Sequence, residues 1–440
     1  LAINALPKEN VSGSCVKAAD FDRDGDLDLF VGARVEPNQY PKAVNSVILR
    51  NDTSPPSPLL PKERGAPNSL RGGVRFTPIS SVSGLICDAL WTDYDNDGWM
   101  DLLLAGEWMP LTLMKNEKGQ KFTNLSPLRG QGGFGFWNSL AAGDFDKDGD
   151  TDYIAGNLGL NTLLKASEQE PISIYANDFN NDGRFDAIPM VYFPDNQGKR
   201  GLVPFHGRED LIKEVIQMRA RFPLYKNFAN ATLDSVLTPD EKQKALVLNA
   251  TYCQSSYVEN LGKGEFKITP LPVLAQFAPI NGMVAEDFDN DGNLDVLLVA
   301  NDYGNETSTG CYDASNGLLL KGDGKGGFQA LSQNQTGFYV PFNAKGLAQL
   351  TDAQGRRVLV ASQNRGRVHL FGQTGRSLTW VNLQPTDAVV IVKTKNGQTH
   401  RQELYYGQSF LSQSGRKLPL SGQEVSVEII DFQGKTRKVK

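Results

Sequence analysis

Histidine is scarce in this chain: 440 residues contain only His206, His369 and His400. That leaves little room for a histidine-rich metal centre or an imidazole-driven catalytic triad. No GxSxG, HExxH or P-loop pattern occurs either. The four cysteines, Cys15, Cys87, Cys253 and Cys311, form no CxxC pair and no zinc spacing. Disulfides and buried free thiols both remain open. No apolar run reaches the roughly 18 residues a membrane span needs, so no transmembrane segment is expected. Lys and Arg are scattered without a basic stripe, and nucleic acid is not an expected partner. The chain begins at Leu1 with no visible export signal. A mature or trimmed chain is therefore expected, with any surface attachment made through residues before Leu1.

What is abundant is a nine-residue acidic loop. Asp287-Phe-Asp289-Asn-Asp291-Gly292-Asn293-Leu-Asp295 places carboxylates at positions 1, 3, 5 and 9 and glycine at position 6. Alternate residues of a tight loop point inward, so these oxygens can converge on one hard cation. The backbone carbonyl at position 7 can add another oxygen. Such an oxygen-rich, flexible cage suits Ca²⁺ better than Mg²⁺ or zinc. The pattern recurs at Asp20, Asp22, Asp24, Asp26 and Asp28; at Asp93, Asp95, Asp97, Trp99 and Asp101; and at Asp144, Asp146, Asp148, Asp150 and Asp152. A fourth copy in chain order is altered: Asp178, Asn180, Asp182, Arg184 and Asp186. About five Ca²⁺ sites are expected, with Asp26, Trp99, Asp150, Arg184 and Asn293 lending carbonyls.

Solvated Asp-Gly hairpin tips would not need Asp at position 9 five times. An EF-hand would need Glu at position 12, where this chain has Val31, Leu104, Ala155, Pro189 and Leu298. A strand follows each loop instead. Five divalent ions would move the formal charge from −5 to about +5, so the acidity belongs to metal sites. Weak, repeated Ca²⁺ sites are useful where Ca²⁺ is millimolar, which predicts an extracellular, periplasmic or cell-surface protein.

The loops open repeat units of four short antiparallel strands, the blade of a β-propeller. An all-β fold of six or seven blades is expected over residues 1–373. Units begin near Cys15, Ala89, Trp137, Ile172, Gly282 and Lys345, and the last has a decayed loop at 351–357 that should not bind metal. Cys15 and Cys87, five and six residues before a loop's first Asp, are expected on inner strands of neighbouring units. Residues 1–7 are expected to complete the last blade. The fourth unit is interrupted at about 204–245 by helices: an apolar stripe at Leu211, Ile212, Val215, Ile216 and Met218, then a capping box opened by Thr238-Pro239. Blade pattern is expected to resume at 256–271, and a further inner strand could hide at 245–253. Residues 374–440 read as a small C-terminal β-domain with a hairpin turned at Asn396-Gly397.

The D-x-D-x-D-G-x-x-D loops opening strands resemble FG-GAP/VCBS repeats, the calcium blades of integrin-α-type propellers. The tail Tyr405-Tyr-Gly-Gln-Ser-Phe-Leu-Ser-Gln-Ser414 is similar to the UnbV/ASPIC module of the cartilage acidic protein group. The resemblance implies an exported protein but no single function, because this fold serves adhesins, lectins and lyases alike. Loop aromatics (Trp91, Trp99, Trp108, Phe134, Phe136, Trp137, Tyr303 and Tyr312) suggest a platform for glycan or protein ligands. Trp137 and Tyr303, flanked by Gly and Asn, are the expected exposed members. His206 and Arg208, in a charged cluster where the helices start, complete the candidate ligand residues. No catalytic residue is assigned. The expectation is a calcium-stabilised binding or adhesion module, with a polysaccharide lyase or hydrolase using a calcium-assisted site as the alternative. A basic side chain beside an open carboxylate cluster in a deep cleft would favour the enzyme.

Overall fold

The computed structural model describes Leu6, Leu128 and residues 11–52, 75–125, 133–195, 197–305, 309–372, 378–395 and 397–440. The expected closing strand at residues 1–7 falls outside them, Leu6 apart, as does Asn396 of the expected hairpin turn. The described chain is built mostly of antiparallel strands. The first sheet contains β1 (Ser12–Ala19), β2 (Asp28–Val35), β3 (Val44–Asn51) and the first half of β4 (Phe76–Thr92). β4 runs on for 17 residues and becomes the first strand of the second sheet, followed by β5 (Asp101–Met109), β6 (Thr112–Asn116) and β7 (Phe122–Asn124). The short β8 (Gly135–Phe136) pairs with β5. The second half of β4 is buried at every position, as in a strand covered on both faces.

The third sheet starts with β9 (Ser139–Gly143) and β10 (Asp152–Gly156). The chain then leaves it to build a separate unit: β11 (Ile172–Asn177), β12 (Asp186–Pro194), β13 (Arg200–Pro204), five short helices and β14 (Leu246–Ala250). The helices are α1 (Arg208–Glu214), α2 (Met218–Arg221), α3 (Tyr225–Phe228), α4 (Leu233–Val236) and α5 (Pro239–Lys244). α5 starts as its capping box demands: Thr238 Oγ1 accepts from the Glu241 amide at 3.3 Å, and Glu241 Oε2 accepts from the Thr238 amide at 2.8 Å. Leu211, Ile212, Val215 and Met218 pack against Ile188 and Met190, whereas Ile216 points outward, 56% exposed, and does not belong to the apolar stripe.

β15 (Ser256–Asn260) returns to pair with β10, and β16 (Phe266–Pro270) pairs with β15. This corrects the expected order. Strands 256–271 complete the third unit, not the fourth, and β14 stands beside β11 in the insertion's own sheet. Antiparallel pairing to β10 outweighs proximity in the chain, so the fourth acidic loop sits on an insertion.

The fourth sheet of the main body is β17 (Ile280–Glu286), β18 (Asp295–Ala300), β19 (Leu318–Gly322) and β20 (Phe328–Leu331). After the one-turn α6 (Gln333–Thr336), a fifth follows with β21 (Ala344–Thr351), β22 (Arg357–Gln363) and β23 (His369–Gly372). The C-terminal residues pair β24 (Thr379–Asn382) with β27 (Lys417–Leu420), and assemble β25 (Asp387–Thr394), β26 (Thr399–Glu403), β28 (Glu424–Asp431) and β29 (Thr436–Lys438).

First strands of successive sheets stand side by side, β1 against β4, β4 against β9, β9 against β17 and β17 against β21. Polar side chains stitch this inner row. Lys17 and Asp88 form a buried ion pair at 2.8 Å, and Asp88 also accepts the Leu140 amide at 3.0 Å. Such a pair tolerates burial only because further hydrogen bonds complete it. Residues 405–415 cross the row's two ends. Tyr406 bridges Ala18, and Lys17 Nζ donates to the carbonyls of Gly407 and Ser409 at 2.9 and 3.1 Å. The Ser409 hydroxyl accepts from Met283 N at 2.7 Å, and those of Ser412 and Ser414 accept from Leu347 N and Gln349 N, both at 3.0 Å.

Candidate functional site

Each acidic loop is shaped by two left-handed residues. Position 6 glycines Gly25, Gly98, Gly149, Gly183 and Gly292 have φ between 84° and 100°, which a side chain would strain. Position 4 residues Arg23, Asn96, Lys147, Asn181 and Asn290 are also left-handed, at φ 57–66°. The turn this makes brings backbone amides onto carboxylates. Position 7 donates to position 5 in all five loops: Asp26 to Asp24, Trp99 to Asp97, Asp150 to Asp148, Arg184 to Asp182 and Asn293 to Asp291, at 2.8–3.0 Å. The position 6 amide reaches the first carboxylate, at 2.8–3.0 Å, in the loops of Asp20, Asp93, Asp178 and Asp287.

The ninth-position Asp has a different task. Asp28, Asp152 and Asp295 each accept one amide from their own loop (Phe21, Phe145, Phe288) and one from the end of the third strand (Asn51, Asn260, Gly322). Asp101 accepts the Asn116 amide at 2.6 Å. Third-strand asparagines continue outward: Asn116 Nδ2 donates to Phe21 O of the preceding sheet at 2.9 Å, and Asn260 Nδ2 to Tyr94 O at 2.8 Å. Sequence reasoning missed these stitches, although Arg-Asn51, Lys-Asn116 and Glu-Asn260 recur at strand ends.

Four loops gather three carboxylates within 4.8 Å of one another: Asp20, Asp22 and Asp28; Asp93, Asp95 and Asp101; Asp144, Asp146 and Asp148; Asp287, Asp289 and Asp291. Among the described residues, buried oxygens of three of these loops have no hydrogen-bond partner: Asp93 Oδ1, Asp95 Oδ1, Asp101 Oδ2, both oxygens of Asp144, Asp150 Oδ1 and Asp287 Oδ1. Burial pushes the carboxyls up, Asp20, Asp144, Asp287 and Asp295 to about 6, Asp93 and Asp150 to about 7, Asp28 and Asp152 to about 8, and Asp101 to about 9. Crowded, dehydrated carboxylates with unused lone pairs fit a hard divalent cation, which would supply the missing charge.

The loop on the insertion differs. Among the described residues no three-carboxylate group forms there. Asn180 turns its amide nitrogen toward Asp186 Oδ1 at 3.2 Å and Glu214 O at 3.1 Å, a donor where a metal ligand would need an acceptor. Asp178 and Asp182 are held by backbone amides. In the fifth sheet, Asp352 is engaged by Arg356 at 2.7 Å.

The candidate ligand residues scatter. Trp137 is fully buried, stacked 5.6 Å from Tyr252, so it is core rather than an exposed platform. Its flanking glycines admit close backbone approach instead of marking a surface loop: a side chain at Gly135 would meet Tyr252 O. Trp91 and Trp108 are likewise buried, whereas Tyr303 is exposed. Arg208 donates to Phe222 O at 2.7 Å and Pro223 O at 3.2 Å, which ties α1 to the following turn. His206 lines a cavity of about 610 Å³ between the insertion and the main body, and its buried Nδ1 has no partner among the described residues. Trp108, Phe136, Phe205 and Tyr312 share that cavity with the Arg34–Glu107 ion pair and with Lys345, which pairs with Asp302 at 3.4 Å.

A second cavity, about 520 Å³, opens between the loops at 144–152 and 287–295 and the C-terminal strands. Asp144, Asp287, Lys147, Arg357 and His400 line it. All four cysteines are free; burial raises the Cys15 and Cys253 thiols to about 12, which disfavours their thiolates.

An FG-GAP-like repeat is matched at residues 93–155, from the second acidic loop through most of β10. This supports the FG-GAP resemblance for the repeats. No curated protein matches the chain. No described helix is long and apolar enough to cross a membrane.

Proposed function

We propose that the chain is an exported, calcium-stabilised β-propeller-type module of the FG-GAP/VCBS kind, carrying an UnbV/ASPIC-type C-terminal module as in the cartilage acidic protein group. It works outside the cytoplasm as a binding or adhesion module for glycan or protein ligands. One observation carries the metal part: four loops on adjoining sheets repeat a three-carboxylate group, and in three of them buried oxygens lack any donor among the described residues. Ca²⁺ in each loop would neutralise the carboxylates and lock strands one, two and three of its sheet together. The insertion and its aromatic-lined cavity offer ligands a concave surface on the main body.

A glycan-array screen in calcium and again in EGTA tests this reading, with product analysis on every polysaccharide hit. Calcium-dependent retention of intact polymer is the expected result. Retention unchanged by EGTA would overturn the role of the metal. A second reading, a polysaccharide-active enzyme, is favoured by the second cavity, where Lys147 and Arg357 stand among open carboxylates. Shortened or unsaturated products would select it.

A further inference from the structure

Arg357 opens β22 and is only 4% exposed, yet among the described residues its Nε and Nη1 have no partner. Its counter-charge among the described residues, Glu286 Oε2, stands 3.7 Å from Nη2, too far for a hydrogen bond. Gln349 competes for that same oxygen at 3.3 Å. The guanidinium lies over the Phe288 ring, 5.4 Å from its centroid, a contact that engages none of its N–H groups. A dehydrated guanidinium with unused donors is costly, and a planar two-oxygen acceptor is what its fork fits.

The cavity it lines supplies the rest of a site. Among the described residues His400 Nε2 is also buried without a partner, and burial, with Lys147 adding to it, disfavours the imidazolium. Other basic neighbours are already engaged: Arg401 with Asp93 and Glu403, and Lys395 with Gly422 O. Among the acids, Asp291 is paired with Lys321 and Glu424 with Lys440. Asp144 and Asp287, which also line the cavity, keep oxygens with no partner among the described residues. Leu294, Val392, Leu418 and Leu420 give the same cavity an apolar wall, which a bare inorganic anion would leave uncovered.

We propose that this cavity binds a carboxylate-bearing sugar residue, its carboxylate on Arg357 and His400 and its ring against the apolar wall. The inference rests on the metal reading above, because Asp144 and Asp287 repel an anion unless their loops hold a cation.

Calorimetry and saturation-transfer NMR on the full chain test it, with glucuronate, glucose and inorganic phosphate as probes, each in calcium and in EGTA. Saturable binding of glucuronate over glucose and phosphate, present only with calcium, is the expected result. Arg357→Met should then weaken it roughly ten- to hundredfold, and Arg357→Lys should fail to restore it. Equal binding of glucose or phosphate, or an unaffected Arg357→Met protein, would overturn the assignment. If the variant does not fold, the wild-type preference for glucuronate over glucose decides alone. Calcium titration in the same instrument separates the two readings. Calcium uptake without glucuronate binding removes this inference and leaves the metal sites, whereas no calcium uptake removes both. A neutral glycan bound elsewhere, unchanged by Arg357→Met and without glucuronate binding, sinks this inference alone.

Discussion

The loops at 144–152 and 287–295 share a backbone and differ in what the third strand sets beside them. In the fourth sheet that residue is Lys321, with its ammonium on Asp289 and, at 2.9 Å, on Asp291. Lys115 does the same to Asp95 and Asp97 in the second sheet. In the third sheet the equivalent residue is Glu259, which pairs with Lys267 at 2.7 Å and adds to the crowding felt by Asp146. Asp150 at position 7 adds a further carboxylate, where the other loop has Asn293. Identical turns therefore need not be identical sites. The loop fixes where ligands stand, and a neighbouring strand decides whether a protein cation competes for them.

The largest expected effect strikes what the two loops share. Asp152→Ala strands the amides of Phe145 and Asn260 and the Tyr257 hydroxyl in a buried place. We expect a loss of about 3 kcal/mol or more in denaturant unfolding with calcium present, and a similar loss for Asp295→Ala. A loss below about 1 kcal/mol would mean the ninth Asp is a metal ligand only. Next comes the contrast between the loops. In calcium calorimetry the third-sheet loop should bind more tightly than the fourth-sheet one. Glu259→Lys should weaken it roughly tenfold, while Lys321→Glu strengthens the other by a similar factor. Unchanged affinities would break the comparison.

A smaller effect concerns pH. Without metal, Asp150 and Asp152 keep protons to about 7 and 8, and Asp287 and Asp295 to about 6, all above the ordinary carboxyl value of 3.8. The folded chain then holds protons that the unfolded chain has released, so stability falls as pH rises from about 4 through those folded values. Melting in EGTA should be higher at pH 5 than at pH 8, and calcium should shrink or reverse that slope because protons compete with the metal. A metal-free chain that gains stability toward pH 8 would contradict this. The smallest change is Lys267→Ala, which removes an exposed partner of Glu259 and should cost only a few tenths of a kcal/mol. A larger loss would show that this ion pair positions Glu259.

Much of this was legible from the chain because it depends on local patterns. Asp-x-Asp-x-Asp-Gly specifies the turn and its left-handed residues, and Thr238-Pro-Asp-Glu241 specifies a helix start. The insertion's place was not legible, because whether 256–260 pairs with β10 or β12 is a long-range choice that alternation along the strand does not encode. Trp137 was misjudged for a related reason: small neighbours look the same whether they expose an aromatic ring or let a backbone close over it. The unpartnered Arg357 depends on Glu286 lying too far away, a distance no spacing rule reveals. Third-strand Asn residues could have been found by aligning strand ends as well as loops.

Residues 405–415 set an order of events on the folding chain. Lys17, near the start, hydrogen-bonds to carbonyls 390 and 392 positions later. While the chain is being made, the sheets can form one after another, each with its own local contacts. The two ends of the inner row must nevertheless wait until the last tenth of the chain appears. A chain stopped before Gly407 leaves the buried Lys17 without those carbonyls and Met283 N without the Ser409 hydroxyl, so incomplete copies carry an open seam where finished ones do not. Limited proteolysis of chains stalled on either side of that point should distinguish them, and equal resistance on both sides would show that the seam closes without the tail.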